Sequence, residues 1–457
     1  MAGSRVLVLG LGVSGMAAAR LARSLGASCQ AVDGGRGEAL AAAAAELREL
    51  GIEVSLGWNC ETALPAADLI VVSPGIVPRS PLGRQAWGAG VPLVSELEFG
   101  FRFCSCPVLA ITGTNGKTTT VELTTHLLAA SGLRVRAAGN IGLPLAACAA
   151  ESAELDALVV EVSSFQLEAV DQFRPAVAAL LNVTPDHYDR HGGPGPYLEA
   201  KLALFRRLAD AGTMVLRHDL GEVPEIRAML AARSGRPLFF AASPRADCAF
   251  YAADGGLYER RDGGAERLAD EAELALPGTH NVENALAALA VVRAAGHCPV
   301  RAARALGSFR PSRHRLELVA ERDGVRYIND SKATNVDALC RALESLARTT
   351  PGRRILLLAG GVDKDIGFSM ALPWLEKQVK EAFLIGSCKS RLAKQWQGVV
   401  SCREFSTFEE AVDAASAAAK PGDVVLLSPG CASQDMFQNY AHRGDQFRAL
   451  VERRAGE

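Results

Sequence analysis

The run Gly113-Thr114-Asn115-Gly116-Lys117-Thr118-Thr119-Thr120 has the residue types of a phosphate-binding loop. An apolar stretch at 108–111 precedes it, and a helical pattern follows with Leu123, Leu127 and Leu128 on one face. Backbone N–H groups of such a loop cradle phosphates, a lysine neutralises β/γ-phosphate charge, and a threonine hydroxyl can reach Mg²⁺. Ile111 stands where the strict Walker pattern has its first glycine. Gly-Lys-Thr-Thr between a strand and a helix still predicts ATP binding by Gly113, Thr114, Asn115, Gly116, Lys117, Thr118 and Thr119.

Further polar groups lie after later apolar runs. Glu161 ends the run 158–162, before Ser163-Ser164, and His187 follows Asn182-Val183-Thr184-Pro185-Asp186. Alone, the first would read as a charge at a helix start and the second as a loop histidine. With the Gly-Lys-Thr-Thr loop, they put polar groups at successive carboxyl ends of one parallel sheet, the setting of a metal–phosphate site. Lys201 sits in the helical stretch Tyr197-Leu198-Glu199-Ala200-Lys201-Leu202, where a solvated surface lysine is the ordinary reading.

A second glycine loop, Gly10-Leu11-Gly12-Val13-Ser14-Gly15, follows an apolar run and opens a helical pattern, with Asp33 at the end of the next run. This is the dinucleotide fingerprint, in which glycines let backbone approach a pyrophosphate at a helix N-terminus. NAD fits it; a UDP group, which also carries a pyrophosphate and a ribose, fits as well; a tight turn without a ligand is the plain alternative. Ser73-Pro74-Gly75, after the run 69–72, would lie beside it.

Apolar runs alternating with helical patterns position these groups and imply parallel sheets with crossover helices. They form three blocks. The first has strand candidates at 6–9, 29–32 and 69–72. The second has 108–111, 157–162 and 176–182, with a hairpin of 249–251 and 257–259 around Gly255-Gly256. The third has 354–358, 382–385 and 424–427. A chain of 457 residues fits about three domains of roughly 150 residues. The expected division is 1–104, 105–311 and 312–457.

Composition is that of an ordinary globular protein, 49% hydrophobic and 22% charged, with a net charge of -2. No basic excess points to nucleic acid, and no apolar run is long enough to span a membrane. Glycines break the apolar start at Gly10, Gly12 and Gly15, so it reads as strand, turn and helix rather than a signal peptide. The 11 cysteines show no metal-ligand spacing, Cys104-Ser-Cys106 included, and read as reduced, buried thiols of a cytoplasmic protein.

The phosphate loop, Gly139-Asn140-Ile141-Gly142, Glu161-Val162-Ser163-Ser164-Phe165-Gln166-Leu167 and the 182–187 word together resemble the Mur ligase family, which assembles the peptide stem of peptidoglycan. His280-Asn281-Val282-Glu283-Asn284 resembles its adenine-side motif. The likeness covers nearly the whole chain and implies an α/β fold of three domains. These are a Rossmann-like N-terminal domain for the UDP precursor, a central P-loop-type domain for ATP, and a Rossmann-like C-terminal domain for the amino acid.

The resemblance also assigns roles. Lys117, His187, Lys201 and Glu161 would be catalytic. Thr118, Glu161, His187 and a carbamylated Lys201 would serve two Mg²⁺ sites; a carbamate can ligate a cation where an ammonium cannot. Asn281 and Asn284 would lie near adenine, with Arg315, Asp330 and Lys332 also on ATP. Gly12, Val13, Ser14, Gly15, Asp33, Ser73, Pro74, Gly75 and Asn140 would hold the UDP precursor, which displaces NAD. Pro311-Ser312-Arg313-His314-Arg315-Leu316-Glu317 resembles the hinge into the last domain.

Asn329-Asp330-Ser331-Lys332-Ala333-Thr334-Asn335 and Ser428-Pro429-Gly430-Cys431-Ala432-Ser433-Gln434-Asp435 resemble the words of the D-glutamate-adding branch. Thr334, Lys364, Ser433, Gln434 and Tyr440 would surround D-glutamate, a dicarboxylate that needs a cation and several donors. Gln434 and Tyr440 stand where many members have Leu and Phe. The resemblance thus implies ATP-dependent joining of UDP-N-acetylmuramoyl-L-alanine and D-glutamate through an acyl phosphate, by a monomer binding neither nucleic acid nor membrane. Another Mur ligase or a folate polyglutamating ligase shares the ATP loop. An NAD-dependent oxidoreductase leaves 113–120 unexplained, and Lys117, Glu161, His187 and Lys201 count against a binding protein without catalysis.

Overall fold

The computed structural model describes residues 1–206, 208, 212–233, 235–261, 263–276, 278–347, 349–364 and 367–453. Among these residues the architecture is α/β, with three mostly parallel sheets. The chain divides into two compact units: Met1–Asn182 with Gly195–Asp270 and Asn284–Leu306, and Val183–Pro194 with Glu271–Glu283 and Gly307–Glu457.

The first unit holds two sheets. One is formed by β1 (Arg5–Leu9), β2 (Ser28–Asp33), β3 (Glu53–Leu56), β4 (Leu69–Val72) and β5 (Leu93–Ser95), all parallel, in the order β3-β2-β1-β4-β5. The other has nine strands: β6 (Val108–Thr112), β7 (Val135–Gly139), β8 (Ala157–Glu161), β9 (Val177–Leu180), β10 (Thr213–Arg217), β11 (Leu238–Ala241), β12 (Phe250–Ala253), β13 (Gly256–Arg261) and β14 (Gly264–Asp270). Their order is β14-β13-β12-β11-β10-β9-β6-β8-β7, parallel except for the β12–β13–β14 meander. The expected hairpin is there, turning at Asp254 and Gly255, both at positive φ. Strand β14 was not expected, because Ala265, Glu266 and Arg267 carry little apolar signal.

The second unit holds β15 (Glu317–Arg322), β16 (Val325–Asn329), β17 (Ile355–Gly360), β18 (Val379–Ile385), β19 (Ser401–Glu404) and β20 (Val424–Leu427), ordered β15-β16-β20-β17-β18-β19. Only the β15–β16 pair is antiparallel. Central strands β4, β6, β8, β9, β17 and β20 are buried at every residue, as helices on both faces require. Edge strands β3 and β19 keep exposed charges, which blunts the edges and hides them from a hydrophobicity reading.

Among the cysteines, Cys29, Cys148, Cys248, Cys340, Cys388 and Cys431 are buried free thiols, but the expectation of buried thiols fails at the half-buried Cys60, Cys104, Cys106 and Cys402 and most clearly at the exposed Cys298. It precedes Pro299 at the start of the helix Pro299–Ala303, on the surface.

Within the first unit, the two sheets are tied by the helix Glu96–Phe101. Gly100 packs so closely that a Cβ there would fall 2.4 Å from the Ala146 nitrogen. Glu98 is fully buried, accepts from the N–H groups of Asp171 (3.0 Å) and Phe173 (2.8 Å), and pairs with Arg102 at 2.8 Å. Glu96, two residues earlier, accepts from Ala146 N at 2.7 Å, while its other oxygen is buried without a partner. Burial pushes its carboxyl up to about 7, against the hydrogen bonds from Ala146 and Leu145.

A pH test follows. In the unfolded chain Glu96 ionises near its ordinary 4.5, whereas in the fold it holds its proton to about 7. Ionisation therefore favours the unfolded state between those values, and stability is lost as pH rises through the window. Glu96→Gln, neutral throughout, should melt close to wild type at pH 4.5 and increasingly above it toward pH 8. Thermal denaturation across that range reads the difference; a gap independent of pH would show that Glu96 titrates in the fold as it does in the unfolded chain.

Candidate active site

Strand β6 delivers the phosphate loop at the carboxyl edge of the nine-stranded sheet, and the helix Lys117–Ala130 begins directly behind it. Gly116 has φ 82°, and a Cβ there would fall 2.3 Å from Asn284 Oδ1, so the turn admits only glycine. Asn182 holds the loop's shape: its Oδ1 accepts from Thr114 N at 3.0 Å and Asn115 N at 2.9 Å, and its Nδ2 donates to Asn115 O at 3.0 Å. Lys117 Nζ donates to Gly113 O at 2.9 Å and Thr114 O at 2.7 Å.

Strand β8 ends on Glu161, which is buried. Its Oε2 accepts from Thr118 Oγ1 at 2.7 Å and its Oε1 from Asn140 Nδ2 at 2.8 Å. The hydroxyl and the carboxylate are hard oxygen donors side by side at the start of a phosphate loop, a donor set that suits Mg²⁺. Asn284 closes the loop from the helix Thr279–Ala294, its Oδ1 accepting from Thr120 Oγ1 at 3.3 Å.

Lys201 is not a surface lysine. It lies in the helix Pro194–Arg206 and is only 1% exposed. Its Nζ donates to Gly113 O at 2.9 Å, so two ammonium groups share one loop carbonyl. The Tyr197 ring, one helical turn earlier, lies 4.6 Å from that Nζ, and the Tyr197 hydroxyl is 3.0 Å from Thr114 Oγ1.

In the five-stranded sheet, the loops after β1 and β4 are neighbours. Ser73 Oγ donates to Gly10 O at 2.8 Å, and a Cβ on Gly15 would fall 1.7 Å from that same oxygen. Asp33 accepts from Leu11 N at 2.7 Å and Gly35 N at 2.8 Å, so both its oxygens hold backbone. Gly12 and Gly75 face open space, and Val13 is 72% exposed, an apolar side chain left bare beside the loop.

In the second unit, Asp186 is the centre of a polar cluster. It accepts from Lys364 Nζ at 2.9 Å and Asn335 Nδ2 at 2.9 Å, and His187 Nε2 lies 3.6 Å away. Burial alone would raise its carboxyl; Lys364, His187 and the two hydrogen bonds outweigh that and hold it below the usual carboxylate range. Lys364, expected on D-glutamate, is thus also the partner of a buried carboxylate. Asp330 ends the β16 edge and accepts from Ser428 Oγ at 2.8 Å, with burial lifting its carboxyl to about 7. Lys332 Nζ lies 5.3 Å from the Tyr440 ring, Ser433 is buried with its N–H on Gln434 Oε1 at 3.1 Å, and Thr334 is half-buried in the same loop as Lys332. Asn281 is buried. Beside it in sequence, His280 is driven down to about 4 by burial and by Arg341 and Arg315; His280 Nδ1 and Arg315 Nε are buried polar atoms without a hydrogen-bond partner.

Four residues were missed as participants. Asn182 and Asp186 stood inside a quoted word without a role. Tyr197 precedes Lys201 by four in a helix, a spacing that puts both on one face. Arg443 gave no signal. It is fully buried and donates to Ser331 Oγ (3.0 Å), Ser331 O (2.8 Å) and Cys431 O (3.2 Å), so it pins the 329–335 and 428–435 words together. Burial pulls its guanidinium down to about 10.

Known proteins match along the whole chain. Residues 4–95 match the Mur ligase MurD-like N-terminal domain, 111–292 the Mur ligase middle domain, and 314–431 the Mur ligase, glutamate ligase domain. The UDP-N-acetylmuramoylalanine–D-glutamate ligase of Pelotomaculum thermopropionicum is 39% identical over 98% of this chain and 97% of its own. The protein of the same name from Acidobacterium capsulatum is 40% identical over 98% and 96%. Among solved structures, a MurF ligase from Thermotoga maritima in complex with ADP shares the fold, with a TM-score of 0.58 and 18% identity over 93% of this chain and 96% of that one. The chain belongs to the Mur ligase family.

Proposed function

We propose that this chain is the ATP-dependent ligase that joins the L-alanyl carboxylate of UDP-N-acetylmuramoyl-L-alanine to the amine of D-glutamate, as a cytoplasmic monomer making peptidoglycan precursor. The observation that carries the reading is near-full-length identity with relatives of that one name, together with the loop in which Lys117, Thr118 and Glu161 meet.

Carboxylate and amine do not condense unaided at neutral pH, since one is a poor electrophile and the other is protonated. In the proposed route the alanyl carboxylate attacks the γ-phosphorus of ATP and ADP departs. The D-glutamate amine then attacks the acyl phosphate, and the tetrahedral intermediate expels phosphate. Lys117 and the loop N–H groups bind the phosphates and spread the charge of the transferring group. Thr118 and Glu161 would hold Mg²⁺, with His187 and a carbamate on Lys201 added by resemblance; when bound, the ion supplies positive charge to the phosphates. Carbamylation would turn one of the two ammoniums at Gly113 O into an anion, removing a like-charge pair and supplying oxygen ligands. By resemblance, Asn281, Asn284, Arg315, Asp330 and Lys332 would also bind ATP. Gly12, Val13, Ser14, Gly15, Asp33, Ser73, Pro74, Gly75 and Asn140 take the UDP precursor, and Thr334, Lys364, Ser433, Gln434 and Tyr440 take D-glutamate.

An amino-acid screen tests the reading. Incubated with precursor, MgATP and one amino acid at a time, the protein should give a product heavier by one glutamyl residue with D-glutamate, and little with L-alanine, lysine or diaminopimelate. Preference for any of those, or for a folate acceptor, sinks the assignment.

Lys117→Ala should fold normally yet lose kcat by more than about 100-fold, because this ammonium acts on transferring charge rather than on packing. Wild-type turnover by the folded variant would remove Lys117 from the mechanism. Lys201→Ala should lose most activity, and added acetate should restore part of it by standing in for the carbamate. Full activity of Lys201→Ala in CO₂-depleted buffer would contradict the carbamate.

A further inference from the structure

The second unit contains a pair of thiols that the ligase chemistry does not use. Cys388 Sγ and Cys431 Sγ are 3.4 Å apart, and both residues are buried. They come from different loops at the carboxyl edge of one sheet: Cys388 follows β18 and precedes the helix Lys389–Trp396, and Cys431 follows β20.

These loops meet across the one after β17. Cys388 N donates to Gly361 O at 3.0 Å, as does Ser387 Oγ at 3.0 Å. On the other side Val362 and Ala432 exchange backbone hydrogen bonds of 2.9 and 3.1 Å. Glycines let the three strands of chain touch: a Cβ on Gly361 would fall 2.0 Å from Ala432 O, and one on Gly386 would fall 2.6 Å from Gly361 Cα. The residues carried onward from this junction are Lys364, two past Val362, and Ser433, two past Cys431. Arg443 fixes the Cys431 carbonyl at 3.2 Å, so a pull on Cys431 is felt at Ser331 as well.

We propose that Cys388 and Cys431 are a modification site at which a hydroperoxide forms a reversible disulfide, locking the loops of Lys364 and Ser433 and weakening D-glutamate binding. The second half rests on the ligase reading above; the cross-link itself does not. The chemistry balances with the peroxide as oxidant. The Cys388 thiolate attacks one peroxide oxygen, the O–O bond breaks, and hydroxide leaves and is protonated to water. The Cys431 sulfur then attacks the sulfenic sulfur of Cys388, and a second water departs with the remaining thiol proton. Two thiols and one H₂O₂ thus become one disulfide and two waters. Cys388 is the nucleophile because the hydrogen bond from Cys431 holds its thiol below the ordinary range, whereas that same bond and burial raise Cys431 well above it.

The intact protein, reduced and freed of reductant, is treated with H₂O₂; remaining thiols are alkylated and the digest is weighed. The peptides bearing residues 388 and 431 should be joined, lighter by the two thiol hydrogens and separable by dithiothreitol. The oxidised protein should show a KM for D-glutamate raised by about 10-fold, reversed by dithiothreitol. Cys388→Ser and Cys431→Ser should form no such link and keep their KM under peroxide, and Cys298→Ser, which removes the exposed competitor, should behave as wild type. The modification site is overturned if residues 388 and 431 stay reduced while other thiols are consumed. Its effect on the pocket is overturned if the link forms and KM does not move. A reduced protein that never turns over D-glutamate would defeat the ligase reading alone, because the mass of the linked peptides still decides the site.

Discussion

A parallel sheet whose chain winds first to one side and then to the other leaves a crevice at its carboxyl edge, where two loops diverge and no connection fills the gap. All three sheets of this protein are built around such a point. The first reverses between β1 and β4, the second around β6, and the third around β20, which inserts between β16 and β17. The loops at 10–15 and 73–75, the loop at 113–120 and the 329–335 and 428–435 words lie at those three reversals. Topology thus fixes where ligands can sit before any side chain chooses which ligand it is.

Loops at such edges carry backbone polar groups that neither sheet nor helix satisfies, and each would cost on the order of 1–3 kcal/mol if buried unpaired. One side chain answers this need at each reversal. Asp33 takes the Leu11 and Gly35 amides, Asn182 takes those of Thr114 and Asn115, and Arg443 takes the Ser331 and Cys431 carbonyls. At the Gly113–Thr120 loop the amines of Lys117 and Lys201 both donate to Gly113 O, which fixes that carbonyl from two sides. Preorganisation of that kind lets a site act on developing charge without rearranging.

Strands buried on both faces were legible where they are unbroken apolar runs, as at 69–72, 108–111 and 424–427, but the interior strands β10, β11 and β16, which begin or end on polar residues or are short, were passed over. Glycine loops and Gly-Lys-Thr-Thr were legible for the same local reason. Edge strands such as β3, β14 and β19 were not, since a strand with one exposed side carries charges that read as loop. Lys201 shows the limit of composition most clearly. Only the resemblance lifted it from the surface, and its burial depends on Tyr197 and the Gly113 carbonyl, partners set by the fold. Arg443 lies in a polar helix whose sequence gives no hint that it reaches the carbonyls of Ser331, after β16, and Cys431, after β20.

The proposed ligation couples three substrates, and ADP release measures that coupling directly. With purified protein and MgATP, steady ADP formation is predicted only when UDP-N-acetylmuramoyl-L-alanine and D-glutamate are both present, one ADP for each amide formed. Sustained ADP formation with neither substrate, or none with both, would contradict it.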